Sequence, residues 1–149
     1  MKIAVASDHA GFRLKVELVD FLRSKGHEVI DLGPYEDTKV DYPDYARLVA
    51  SKVGQKEVDR GVLICGTGLG MAVVANKFKG VRAVVALNEF MARQSRGHLD
   101  ANVLCLGARV LGDELAKAIL EVWLEAGFDG GRHALRLEKV QKIEEENLR

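Results

Sequence analysis

Gly61-Val62-Leu63-Ile64-Cys65-Gly66-Thr67-Gly68-Leu69-Gly70 passes from a short apolar run into a glycine-rich turn and then into a helical pattern. That succession reads as strand, loop and helix start. The N–H groups that open a helix have no partner within it and carry partial positive charge, so they suit an anion or a developing oxyanion. The same field favours thiolate over thiol at a neighbouring cysteine. The thiol of Cys65, the hydroxyl of Thr67 and the amides of Gly66, Gly68, Leu69 and Gly70 therefore converge on one turn. This turn is a candidate active site.

Outward from it, the same alternation repeats along the chain. Short apolar runs at residues 3–6, 28–32, 62–65, 82–87 and 103–106 alternate with helical patterns at 12–25, 43–55, 69–79, 89–99 and 114–126. Within the first helical pattern, Leu14, Leu18, Phe21 and Leu22 form one stripe, and Gly26 suits its C-terminal end. Pro43 fits a first helical turn and Asn88 an N-cap. Strands and helices alternating at this spacing imply right-handed crossovers and a parallel sheet covered on both faces. The first, third and fourth runs are nearly all apolar, as central strands should be, whereas Glu28 and Asp31 predict an edge for the second. Ligands of such sheets bind at the carboxyl ends of the strands, which singles out Ser7-Asp8-His9, the turn at 65–70 and Gly107-Ala108-Arg109. The tail at 132–149 reads as a charged amphipathic helix with Leu135, Val140 and Ile143 as its apolar residues. So narrow a stripe needs a surface to lie on, and a second subunit is the expected one.

Composition sets the bounds. The 149 residues suit one domain, and 48% hydrophobic with 30% charged residues is a globular balance. Lys+Arg and Asp+Glu stand at 22 each, which gives no global field for nucleic acid or an anionic membrane. No apolar stretch approaches the roughly 20 residues of a membrane span. Cys65 and Cys105 have neither metal-ligand nor redox-motif spacing, so a reduced cytoplasmic protein is the simplest expectation.

Each candidate residue has a plainer alternative. Cys105, inside an apolar run, reads as packing, while Cys65 lies where strand gives way to loop. The turn is not a dinucleotide fingerprint, because Met71 occupies the place of the last glycine and the turn follows the third strand. Glu89 then reads as a first-turn helix acid, and no Gly-Lys-Ser/Thr occurs for a triphosphate loop. Asp8 either binds a ligand or caps the next helix, and His9 accompanies it at the ligand edge. His98 closes the fourth helical pattern either as an acid–base group or as a surface histidine. Arg132 and Arg136, four apart, project from one helical face, where they could grip a phosphate or simply meet solvent. His27 reads as solvent-exposed before an edge strand, and His133 has little to single it out.

Taken together, these residues are similar to the ribose-5-phosphate isomerase B family of sugar-phosphate isomerases, over essentially the whole chain. Ser7-Asp8-His9-Ala10-Gly11-Phe12, Asp41-Tyr42-Pro43, the turn at 65–70, Ala75-Asn76-Lys77-Phe78, Ser95-Arg96-Gly97-His98, Asn102-Val103-Leu104 and Gly130-Gly131-Arg132-His133 with Arg136 fall in family order. The resemblance implies a three-layer αβα Rossmann-like sandwich with a five-stranded parallel sheet of order 2-1-3-5-4. It also implies interconversion of ribose 5-phosphate and ribulose 5-phosphate, in the non-oxidative branch of the pentose phosphate pathway, with neither metal nor organic cofactor. The working form would be a homodimer, sometimes a dimer of dimers, with shared sites. Asp8, His9, Cys65–Gly70 and Arg109 would come from one chain, and His98, Arg132 and Arg136 from the other. On that reading Cys65 moves the carbon-bound proton, Thr67 passes a proton between oxygens, and His98 opens the sugar ring. His9, Arg132 and Arg136 hold the phosphate, while Asp8 binds sugar hydroxyls. This chain departs from the family at two places. Met71 stands where one branch has a glutamate base, and Leu99 where asparagine is common. Galactose 6-phosphate and allose 6-phosphate are the alternative substrates. A flavodoxin-like nucleotide-binding module is the non-catalytic alternative.

Overall fold

The alternating runs form a five-stranded parallel sheet ordered β2-β1-β3-β5-β4. The computed structural model describes residues 1–148. In chain order the elements are β1 (Lys2–Ser7), α1 (Phe12–Ser24), β2 (Glu28–Asp31), α2 (Tyr42–Gly54), β3 (Arg60–Cys65) and α3 (Leu69–Ala75). Then come β4 (Ala83–Val85), α4 (Glu89–Leu99), β5 (Val103–Gly107), α5 (Asp113–Glu125) and α6 (Arg132–Asn147).

Strand alternation divides the core between two faces. Ile3, Val5, Val62, Ile64, Leu104 and Leu106 point to one side and meet Leu14, Leu18 and Leu22 of α1 with Ile119, Leu120 and Trp123 of α5. Ala4, Ala6, Leu63, Cys65, Val103 and Cys105 point to the other and meet Val49 and Val53 of α2 with Met71 and Ala75 of α3. Three layers result, as expected. Each fully buried Leu or Ile contributes about 1.5–3 kcal/mol relative to exposure, which is what drives a strand apolar on both faces into the middle of the sheet.

The second strand lies at an edge, as its charges predict, but the fourth corrects its reading. Residues 82–87 look central by apolarity, yet β4 covers Ala83–Val85 and forms the opposite edge. Its valines are only half-buried, unlike the residues of the inner strands, and apolar residue type does not reveal that difference. Asn76 closes its open side: its Oδ1 accepts from the Ala83 N–H (2.8 Å) and its Nδ2 donates to the Ala83 carbonyl (2.9 Å). A side-chain amide thus occupies the place of a sixth strand and blunts the edge. The same residue ends α3 at Ala75 rather than at 79.

Other expectations hold with small shifts. Pro43 lies in the first turn of α2, Glu89 in that of α4, and Asn88 caps α4 by accepting from the Met91 N–H at 2.8 Å. Gly26, at φ +87°, follows α1. His27 is half-buried rather than exposed, with its Nδ1 3.0 Å from the Met1 ammonium. Burial first, then that ammonium and Arg60, push its imidazole below the ordinary range. The tail helix is present over Arg132–Asn147, and Arg149 lies outside the described residues. Among the described residues no helix is long and apolar enough to cross a membrane.

Candidate active site

The carboxyl ends of β1, β3 and β5 meet on one rim of the sheet. Cys65 is the last residue of β3, 6% exposed, and its Sγ accepts the Gly68 N–H at 3.1 Å. Gly68 caps α3 at φ +82°, a conformation in which a side chain is strained. Thr67 is exposed, and its Oγ1 accepts from the Leu69 N–H at 3.3 Å. The rim is stitched together by backbone bonds: Ala108 N–H donates to Cys65 O (2.8 Å) and Arg109 N–H to Gly66 O (3.0 Å). The guanidinium of Arg109 lies over this turn, 3.3 Å from where a Cβ on Gly66 would sit. On the far side the ring of Tyr42 rests on Gly70, 2.8 Å from an equivalent Cβ position.

Asp8 and His9 join the same rim. The Asp8 N–H donates to Ile64 O at 3.1 Å, and its buried Oδ1 accepts from the Gly11 N–H at 3.1 Å. Asp8 therefore does brace the start of α1, while its position beside the end of β3 keeps it next to the glycine turn. His9 is half-buried, with Nδ1 facing Val40 O at 3.0 Å and Val40 N at 3.3 Å, which leaves Nε2 as its free atom. Cys105 is wholly buried, and burial, aided by nearby Cys65, pushes its thiol well up. It is packing.

A second cluster forms at the other rim. His98, in the last turn of α4, stacks on His133, in the first turn of α6, with centroids 4.0 Å apart and planes 12° from parallel. Asp129 Oδ2 lies 3.9 Å from His98 Nε2, and the Asp129 N–H donates to Gly97 O at 3.0 Å. The end of α4 is fixed by Arg96, whose Nη1 donates to Asp100 Oδ1 (2.7 Å) and Ala101 O (2.8 Å). Arg82 Nε adds a bond to Leu99 O at 2.9 Å. Arg132 and Arg136 stand exposed one turn apart on α6. Burial first, then His98, Arg132 and Arg136, lower the His133 imidazole, with Asp129 opposing.

His98, Asp129 and His133 have the identities of metal ligands, their ligand atoms lying within 4.8 Å of one another. A ring nitrogen directs its lone pair in the ring plane, however, and two nearly parallel planes share no point about 2.0–2.1 Å from both nitrogens. Two adjacent guanidinium groups also oppose a cation.

The two clusters do not meet within the chain. Cys65 ends β3, whereas His98 leads through residues 99–102 into the beginning of β5. In a parallel sheet these are opposite rims, separated by about 16 Å for a five-residue strand. The structure thus brings together Asp8, His9, Cys65, Gly66, Thr67, Gly68, Leu69, Gly70 and Arg109. It places His98, Arg132 and Arg136 elsewhere. Sequence reasoning passed over His133 and Asp129, for which Gly127, Gly130 and Gly131 were the available signal of a tight return towards α4. Tyr42 was also missed as a neighbour of the glycine turn, since nothing in its spacing points there. Met71 is fully buried under the turn and Leu99 is exposed beside His98.

The Ribose/Galactose Isomerase family model matches residues 3–140. The chain is 51% identical to ribose-5-phosphate isomerase B of Escherichia coli over 144 residues, covering 97% of each. It is similar to the structure of the Clostridium thermocellum ribose-5-phosphate isomerase B, with TM-score 0.96, 53% identity and coverage of 98% of this chain and 99% of that one. It is also similar to the Mycoplasma genitalium ribose-5-phosphate isomerase B with bound ribulose-5-phosphate, with TM-score 0.94, 44% identity and coverage of 98% and 97%.

Proposed function

The chain belongs to the ribose/galactose isomerase family, and on that premise we propose that it interconverts ribose 5-phosphate and ribulose 5-phosphate. The observation that carries the mechanism is the Cys65 sulfur held against the Gly68 amide at the mouth of the glycine turn. An N–H aimed at sulfur stabilises a thiolate, and a thiolate can serve as a base.

Ribose 5-phosphate is mainly a closed ring. His98 gives a proton to the ring oxygen and, with solvent, removes the one on the C1 hydroxyl, which frees the aldehyde. Cys65 then takes the proton from C2. The C–H electron pair becomes the C1–C2 double bond, and O1 gains the charge. Thr67 relays the O2 proton to O1, and the Cys65 thiol returns its proton to C1, leaving a carbonyl at C2. Charge rests on oxygen throughout the intermediate, and the amides of the turn that are not bonded to Cys65 or Thr67 offset it by about 3–4 kcal/mol per well-aimed donor. Arg109, lying over the turn, adds positive charge. Asp8 orients sugar hydroxyls.

His9 holds the phosphate together with Arg132 and Arg136, and the last two come with His98 from a second copy of the chain. The protein is then a homodimer, alone or paired as a dimer of dimers. Two features support this. Asp8, His9, Cys65, Thr67 and Arg109 lie on one rim and His98, Arg132 and Arg136 on the other, and the Cys65 rim exposes Leu69 (61%), Phe90 (62%) and Val110 (55%). The exposed Leu135, Val140 and Ile143 give α6 a face to lay on that copy.

Turnover on ribose 5-phosphate, galactose 6-phosphate and allose 6-phosphate tests the substrate. The five-carbon sugar should lead in kcat/KM by at least about tenfold. A leading hexose phosphate would overturn the assignment.

A further inference from the structure

We infer that Lys15 is a positioning residue that sets the capture of the sugar phosphate by holding the segment against which His9 is oriented. The inference rests on the phosphate role proposed for His9. Lys15 lies on α1 and is 1% exposed, as deeply buried as the apolar core beside it. All three protons of its ammonium are used. Nζ donates to Asp31 Oδ1 (2.8 Å), Asp31 Oδ2 (3.0 Å) and Pro34 O (2.8 Å). Rings of Phe12 and Tyr35 lie 5.3 and 5.7 Å from it. A buried ammonium with every partner satisfied is a costly arrangement to break, because each acceptor left behind loses its donor.

What this clamp holds is the connection from β2 to α2. Asp31 also accepts from the Gly33 N–H (2.9 Å), and its carbonyl receives the Tyr35 hydroxyl (2.9 Å). Beyond Tyr35 the segment is sparsely held: residues 35–39 are exposed, and Thr38 N–H to Glu36 O (2.9 Å) is its one internal backbone bond among the described residues. It then reaches Val40, which brackets His9 Nδ1, and Tyr42, whose ring rests on Gly70. So the segment has a firm anchor at Lys15 and delivers its far end to two parts of the rim. Loosening the anchor leaves Val40 free to drift, and His9 then presents Nε2 over a range of directions. Binding suffers. The proton transfers at Cys65 do not.

The test compares wild-type protein with Lys15→Met, which keeps the apolar stem, and with Asp31→Asn, which keeps the bond to Gly33. Steady-state rates on ribose 5-phosphate, hydrogen exchange at the Val40 amide and binding of inorganic phosphate are measured on each. Lys15→Met should raise KM at least about tenfold with kcat within about twofold, weaken phosphate binding in parallel, and speed exchange at Val40. Asp31→Asn should shift each in the same direction by less. If Lys15→Met does not fold, Asp31→Asn decides by the same three readings. Unchanged KM and phosphate affinity in a folded variant, or kcat and KM failing together, would overturn the inference. Wild-type protein that neither turns over ribose 5-phosphate nor binds phosphate would instead sink the functional reading, and faster Val40 exchange alone would then support the clamp.

Discussion

At Cys65 a strand end, a left-handed glycine and an amide N–H meet within four residues, and the proposed base rests on that conjunction. Cys65→Ala should lower kcat by about 10²–10⁴-fold with the fold unchanged, measured by turnover and circular dichroism. Near-normal turnover would place the base elsewhere, and Met71, buried and non-basic, is not a substitute. That much was legible in the sequence, because strand, glycine turn and cysteine are contiguous. His133 was not, since its significance comes from stacking on a residue 35 positions away, and no spacing rule reports a contact made through folding. Its depressed imidazole makes a pH prediction. Below the ordinary value of 6.5 the unfolded chain takes up this proton before the folded chain does. The stability contribution is therefore present above 6.5 and lost as pH falls towards the lower folded value. Denaturant unfolding at about pH 7.5 and about pH 5.5 should show a smaller acid loss in His133→Asn than in wild type. An equal loss would mean that the stacked pair does not govern the acid response.

Among the elements, α4 shows how local signals locate a helix. Asn88 and Glu89 mark its start, and the observed boundaries are those the pattern predicts. Asn88→Ala removes one capping bond and should cost about 1 kcal/mol in chemical denaturation. No change in midpoint would show that another acceptor takes the Met91 N–H. The edge position of β4 was hidden for a physical reason. Apolar residue type does not report whether a neighbouring strand exists, and here a side-chain amide from Asn76 replaces that neighbour. Lys15 was hidden by the converse rule. A lysine within an amphipathic helix reads as solvent-facing, and its burial depends on acceptors that β2 and the following turn bring to it.

For the whole molecule, the decisive fact is directional. Every strand runs the same way, so what stands at a strand's end and what stands at its beginning are held apart by the sheet itself. A mixture of Cys65→Ala and Arg132→Ala proteins, each inactive alone, should regain about a quarter of wild-type activity after subunit exchange, since half the dimers then carry one intact site. No recovery after verified exchange would argue for sites built within single chains. The rigid spacing between rims also carries a kinetic consequence. If the site is shared as proposed, a lone chain owns two half-sites and no whole one, and catalysis becomes a property of encounter: progressive dilution should extinguish the rate per chain along the dissociation curve, and reconcentration should restore it.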